Sequence, residues 1–196
     1  MSLQDYNKKR DFKVTGEPKG SQSKNKSRKP LFVIQKHDAT NLHYDFRLEI
    51  DNTLKSWSIP KGPSTNPEIK RMAIPTEDHP KEYANFEGVI PKKQYGGGTV
   101  MIWDKGTFRS MNKNKDNEAV DLKAAYEKGA IDIYLEGEKI YGGYSLIKMK
   151  SGQMKGNWLL IKKDDDKADA RRNPVSTENK SVVSGRSMEE IAAEEQ

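Results

Sequence analysis

Gln35–Glu49 reads QKHDATNLHYDFRLE. From His43 the residues alternate: His43, Asp45, Arg47 and Glu49 are polar, while Tyr44, Phe46, Leu48 and Ile50 are apolar or aromatic. A period of two is the mark of a strand with one face in a core. The other face then carries an imidazole, a carboxylate and a guanidinium in a row, roughly 7 Å apart at about 3.3 Å rise per residue. His37 comes before them, across Asp38-Ala39-Thr40-Asn41, a turn by composition. Two imidazoles and a carboxylate are a workable divalent-metal set. The neighbouring arginine is a workable phosphate clamp. A strand with a merely solvated polar face would show the same alternation, so the pattern argues the strand and leaves its use open.

On either side the chain keeps to short strands. Pro30 opens Leu31-Phe32-Val33-Ile34, expected as a buried strand ending at Gln35 to His37. Asp51-Asn52 has hairpin-turn chemistry, and a strand over Leu54–Ile59 leads to the rigid loop Pro60-Lys61-Gly62-Pro63. Further strands are expected over Lys70–Thr76, Thr99–Trp103, Gly106–Ser110, Ile131–Leu135, Gly143–Met149 and Trp158–Lys162. Phe86–Pro91 and YGGGT at 95–99 read as turns. The triple glycine has neither GK[ST] nor GxGxxG spacing and a strand follows it, so a hairpin is expected there rather than a phosphate loop. Asn117–Lys128 is the one good helix, with Asn117 as cap and Gly129 at its C′ position. Many short strands with Gly/Pro turns argue a mainly β chain, an antiparallel barrel or sandwich of about eight strands with one short helix. A barrel lined partly by polar residues would offer a concave site.

The two ends differ from the middle. Residues 1–30 hold nine Lys/Arg against three Asp/Glu, and KGSQSKNKSRK from Lys19 to Lys29 reads as a flexible linker. Residues 164–196 hold nine acidic and five basic residues and are expected as a mobile acidic tail, with at most a marginal helix near Met188 to Ala193. The barrel is expected over 31–163. Net charge is +6, which suits a polyanionic partner without identifying one. The chain has no cysteine, which excludes disulfides and thiolate zinc sites. No apolar run reaches membrane-spanning length and no signal region opens the chain, so a soluble, cytoplasmic protein is expected, monomeric by default.

All three histidines, His37, His43 and His79, fall between Gln35 and Tyr83, together with Asp45, Arg47, Lys61, Arg71 and Glu77. Metal ligands, cations and proton donors in one segment are the equipment of phosphoryl transfer, where catalysis is mostly positioning and charge neutralisation. A metal-dependent phosphoesterase is the expected class. Two others stand beside it. A non-catalytic nucleic-acid-binding barrel would grip backbone through the basic N-terminus, but the chain lacks a regular aromatic stacking stripe. A non-haem iron enzyme could use two histidines and a carboxylate, but the adjacent cations suit phosphate better.

Three segments also resemble a known family. QKHDATNLHYDFRLEIDNTLKSWSIPKGPS from Gln35, RMAIPTEDHPKEYANFEGVIP from Arg71 and GGGTVMIWDKGTF from Gly96 are similar to the 3′-phosphoesterase domain of bacterial DNA ligase D. Stand-alone archaeal and bacterial versions of that domain share the likeness, and with no ligase or polymerase segment here they are the nearer match. The likeness runs from RDFKVTGEP at Arg10 to NWLLIKKDDD at 157–166, covering Lys8 to Asp166. It implies a compact antiparallel β-barrel with a manganese-dependent site, Co2+ or Zn2+ being other candidates. It implies healing of 3′ ends: a terminal ribonucleotide is trimmed from a DNA or RNA primer end to leave a 3′-phosphate. That phosphate is then removed to give a 3′-hydroxyl for a separate DNA ligase and end-joining proteins. By position, it implies His37, His43 and Asp45 as metal ligands and Arg47 and His79 as phosphate-binding groups. Gln35, Lys61, Arg71, Glu77 and Tyr83 match further active-site positions. Arg10, Asp11 and Glu17 match residues needed for ribonucleotide removal, which would make the N-terminal segment functional.

Overall fold

In the computed structural model, which describes residues 2–20 and 29–194, the opening apolar run and the alternating stretch form a hairpin. β1 (Leu31–Asp38) pairs antiparallel with β2 (Leu42–Ile50), setting His37 opposite His43 and Gln35 opposite Asp45. At Asp51 and Asn52, with φ of 52° and 61°, the chain turns into β3 (Thr53–Ile59). Two left-handed residues make the turn whose twist matches that of the strands, and Asp and Asn tolerate it best after glycine.

β4 (Lys70–Pro75), β5 (Gly88–Ile90), β6 (Gly98–Ser110), β7 (Ala130–Glu136), β8 (Tyr141–Lys148) and β9 (Trp158–Lys162) follow. Pairing runs β1-β2-β3-β4-β9-β8-β7-β6, and β6 returns to β1, so eight strands close into an antiparallel barrel. β5, expected as a turn, is a ninth strand beside the start of β6. β6 closes the ring because it is long: it follows β1 through Thr107 and reaches β7 from there to Ser110. It joins two segments expected to be separate. Gly106 lies inside it, where a Cβ would collide with the Glu136 carbonyl, so this glycine marks a close backbone approach rather than a break.

All eight ring strands contribute to one apolar cluster, including Ile34, Phe46, Trp57, Ala73, Trp103, Ile133, Tyr144 and Leu160. Only the inside of a closed ring is shared by every strand. The interior is packed with apolar side chains, as eight strands require, and the expectation of a polar-lined barrel is corrected. The polar row of β2 faces outward, yet it is not solvated. α1 (Leu3–Lys8), the segment after it and a 3-10 turn at Lys81–Asn85 lie over it. They meet apolar spots on the outer face, and Tyr6, Val33, Leu54, Tyr83 and Ile102 form a second buried cluster.

The chain ends depart from expectation. α1 carries a capping box between Ser2 and Asp5. The linker expected over 19–29 lies, from 21 to 28, outside the described residues. α2 (Leu122–Lys128) is shorter than expected and is capped by Asp121, whose side chain accepts from Ala124 N at 3.0 Å. Asn117 instead has φ 64° in a turn where the Asn114 side chain accepts from Asp116 N and Glu118 N, both at 2.9 Å. Gly129 ends α2 at φ 81°, as expected. The tail expected to be mobile folds onto the barrel up to residue 194. It contains α3 (Pro174–Thr177) and α4 (Met188–Ala193), and Met188 and Ile191 join the interior cluster. Trp103 Nε1 donates to the Glu178 carbonyl at 2.6 Å. The tail has few apolar residues, but they fall where burial needs them. Among the described residues no helix is long and apolar enough to cross a membrane.

Candidate metal and phosphate site

The register of β1 and β2 builds the site. His37 and His43 are Cα partners on the outer face, with ring centroids 4.8 Å apart. Asp45, two residues on, shares that face. His37 Nδ1 lies 3.6 Å from Asp45 Oδ2, and His43 Nε2 lies 3.6 Å from Asp45 Oδ1. One donor atom from each residue falls within 4.8 Å of the others. The outward ring nitrogens each meet a backbone carbonyl: His37 Nε2 is 2.9 Å from Gly96 O and His43 Nδ1 is 2.8 Å from Asn41 O. A carbonyl only accepts, so those nitrogens carry the protons. The inward nitrogens then present lone pairs toward Asp45. Imidazoles with tautomers fixed from behind are what a metal site requires. Two nitrogens and a carboxylate suit a divalent transition metal.

Arg47, fully enclosed next to this triad, is held by three groups. Nε donates to Gln35 Oε1 at 2.7 Å, Nη2 donates to Asp45 Oδ2 at 3.0 Å, and Nη1 lies 3.0 Å from His79 Nδ1. Gln35 is itself fixed by donating Nε2 to the Tyr83 and Phe86 carbonyls. Burial alone would raise the Asp45 carboxyl, but the Arg47 guanidinium beside it outweighs burial and holds the group well below the usual carboxylate range. His79 Nδ1 is also 2.8 Å from the Glu77 carbonyl, and Nε2 lies 3.4 Å from Arg10 Nη2. Burial, then Arg47 and Arg10, pushes the His79 imidazole well below its usual value, so it is neutral near pH 7.

A second layer comes from the N-terminal segment. Arg10 stacks 3.8 Å from the Tyr6 ring centroid, donates Nε to Glu17 at 2.8 Å and donates Nη1 to Glu77 at 3.0 Å. Tyr83 OH donates to Glu17 at 3.1 Å. Burial and Glu17 raise the Tyr83 phenol well above its usual value, so it stays a donor. Glu77 also takes Lys9 Nζ at 3.5 Å and Tyr95 OH at 3.4 Å.

The structure gathers His37, His43, Asp45, Arg47, Glu77, His79, Tyr83 and Arg10 around one open pocket of about 240 Å³. Gln35 and Glu17 stand behind it as buried supports of Arg47 and Arg10. Asp11 does not line it. It is exposed in the turn after Arg10, where its side chain accepts from Lys13 N at 3.1 Å. Lys61 and Arg71 lie instead in a separate groove with Lys70, Met72, Ile74 and Met154. Asp45 pairs with Ser58 and Ser58 with Ile74, so this groove begins two strand spacings, about 10 Å, from Asp45. Sequence reasoning missed Tyr6, Lys9, Ser58, Thr76, Tyr95 and Gly96, all at or beside the pocket. The turn at 95–99 is the hairpin expected, but its Gly96 carbonyl orients His37, a role no side chain signals.

Barrel and pocket define a class: a small β-barrel protein with an outer-face cluster fit to hold a divalent metal next to a buried arginine. Comparison with known proteins supplies the family. The model of the DNA ligase D 3′-phosphoesterase domain matches residues 35–148, and this chain belongs to that family. Among similar proteins is the multifunctional non-homologous end joining protein LigD of Pseudomonas aeruginosa, 44% identical over 167 residues, which is 85% of this chain and 19% of that protein. The corresponding DNA repair protein LigD of Mycobacterium tuberculosis is 39% identical over 159 residues, 81% of this chain and 20% of that protein. LigD of Mycolicibacterium smegmatis is 41% identical over 166 residues, 84% of this chain and 21% of its own length. The chain therefore spans about a fifth of the curated relatives it matches.

Proposed function

We propose that this protein is a metal-dependent 3′-end-healing phosphoesterase acting in DNA repair. The observation that carries the proposal is the convergence of the His37 and His43 lone pairs on Asp45, with the buried Arg47 guanidinium alongside. In this reading His37, His43 and Asp45 hold a divalent ion, manganese in the cell, with cobalt or zinc able to substitute. A bound ion of this kind supplies Lewis-acid charge to a non-bridging phosphoryl oxygen.

The chain's own groups do the rest. Arg47 neutralises charge developing on the phosphoryl oxygens, and Gln35 holds it in place. Neutral His79 donates no proton to the leaving oxygen at first; it seats Arg47 and Arg10 against the phosphate. The Lys61–Arg71 groove carries the backbone of the strand whose 3′ end is treated. In the first step the bond from phosphorus to the terminal ribonucleoside's O5′ breaks, water supplies the new P–O bond, and O5′ takes a proton. In the second step a second water supplies the new P–O bond, the P–O3′ bond of the remaining phosphate breaks and O3′ takes a proton, leaving a 3′-hydroxyl and inorganic phosphate. Arg10, with Glu17 behind it, serves the first step, and Asp11 shapes the turn that presents Arg10. The partners are primer-template 3′ ends of DNA or RNA, with ligase and end-joining activities acting afterwards.

The test is a primer-template with a single 3′-terminal ribonucleotide, with and without Mn2+. Conversion first to a 3′-phosphate and then to a 3′-hydroxyl, abolished by chelator, is expected. Binding without any change to the end under every divalent metal would leave a non-catalytic nucleic-acid-binding barrel.

A further inference from the structure

Tyr95 is a large aromatic residue left half exposed, at 49%, on the rim of the pocket. Most aromatics of this chain are packed away, and an exposed ring beside a polar pocket calls for an occupant. Its position is fixed from below. The phenol accepts from Lys9 Nζ at 3.2 Å and donates to Glu77 at 3.4 Å, and the next residue's carbonyl holds His37. Arg10 lies 5.5 Å from the ring centroid. Lys9 Nζ lies 4.6 Å from the centroid as well, so the ring is tethered at its hydroxyl and flanked by two cations while half of it stays exposed.

The register places Tyr95 relative to the substrate path. Across the outer face the order is β4, β3, β2, β1 and then β6, which the Tyr95 loop enters. The basic groove of Lys61 and Arg71 lies on the β3–β4 side of Asp45, and Tyr95 lies on the β1–β6 side, next to His37. A strand that enters over the groove and places a phosphodiester at the triad must carry the nucleoside beyond that phosphate toward Tyr95.

We propose that Tyr95 is the stacking platform for the base of the 3′-terminal ribonucleoside, the group that departs when the diester is cleaved, with Lys9 and Arg10 flanking it. A ring face accepts any base, so the platform is sequence-tolerant. The proposal rests on the end-healing reading above, and the experiment separates the two.

Diester cleavage is measured with Mn2+ on two primer-templates, one ending in an ordinary ribonucleotide and one ending in a ribose that lacks its base. Wild-type protein is compared with Tyr95→Ala, Tyr95→Leu and Tyr95→Trp. The wild type is expected to favour the base-bearing end by roughly tenfold in kcat/KM, a value at the low end of base–aromatic stacking. Tyr95→Trp keeps that preference, while Tyr95→Ala and Tyr95→Leu lose it. If the wild type cleaves both ends equally, or Tyr95→Leu slows both alike, the platform is refuted while end healing stands. If the wild type cleaves neither end, both readings fall. Circular dichroism and thermal melting on each variant identify any that is unfolded. Tyr95→Trp then carries the test, because a preference below that of the wild type would also refute it.

Discussion

Replacing Arg47 by methionine should damage this protein in a way that depends on pH. The guanidinium is 3% exposed and supports Gln35, Asp45 and His79 at once. Methionine preserves much of the apolar stem and removes the charge. Asp45 would then be a buried carboxylate without its main compensating cation, because Arg47 is the first of the groups that lower its pKa. Breaking one side of a buried ion pair costs about 3–5 kcal/mol. For a chain of this size that is a loss of roughly 6–20 °C in melting temperature, at about 2–4 °C per kcal/mol. The deficit should be largest at pH 7.5 and shrink toward pH 5, as the carboxyl, no longer held low, takes up a proton. Adding Asp45→Asn should recover more than about 1 kcal/mol, since the stranded charge goes with it. Urea denaturation of the two single variants and the double variant at both pH values measures this. A loss under about 1 kcal/mol at pH 7.5, or no recovery in the double variant, would show that the buried network does not exist in solution.

Three other outcomes are expected. A metal present at a hundred times its dissociation constant should stabilise the wild type by about 2.7 kcal/mol, or roughly 5–11 °C. His37→Ala should lose that shift together with turnover, and a full shift in the variant would move the metal elsewhere. His79 is held neutral, so below about pH 6.5 the unfolded chain binds a proton that the folded chain refuses, and stability falls as pH drops through that value. The urea midpoint should therefore be lower at pH 5.5 than at pH 7.5, with a smaller gap in His79→Gln; an equal gap would contradict the assignment. Ile191→Asp places a charge at a site 1% exposed in the C-terminal segment and should cost about 3 kcal/mol or more. An unchanged denaturation midpoint would mean that this segment does not pack on the barrel.

Much of this was legible because it was written in side chains at strand spacing. The alternation from His43 to Ile50 marked β2, and the same period put Asp45 and Arg47 on one face. Asp51-Asn52 marked the turn, and Gly129 marked the end of α2. What the sequence did not reveal depends on contacts between distant segments. Nothing local distinguishes a solvated polar face from one covered by Tyr6 and Tyr83, which sit in segments that read as charged or as loop. The Gly96 and Asn41 carbonyls that set the histidine tautomers leave no trace in residue type. The C-terminal segment looked disordered by average composition, yet Met188 and Ile191 fall one helical turn apart on a single face of α4, which composition does not weigh. Lys61 and Arg71 followed the family pattern, but the register puts them in a neighbouring groove rather than in the pocket.

The account stands on the outer face of β1 and β2 being a metal–phosphate site. Anomalous diffraction at the manganese edge, from crystals grown with Mn2+ and a short duplex ending in a 3′-phosphate, would locate both groups. A single anomalous peak within bonding distance of His37 Nδ1, His43 Nε2 and an Asp45 carboxylate oxygen, with the phosphate against Arg47, is the predicted result. A peak at another set of residues, or a phosphate bound away from Arg47, would contradict it.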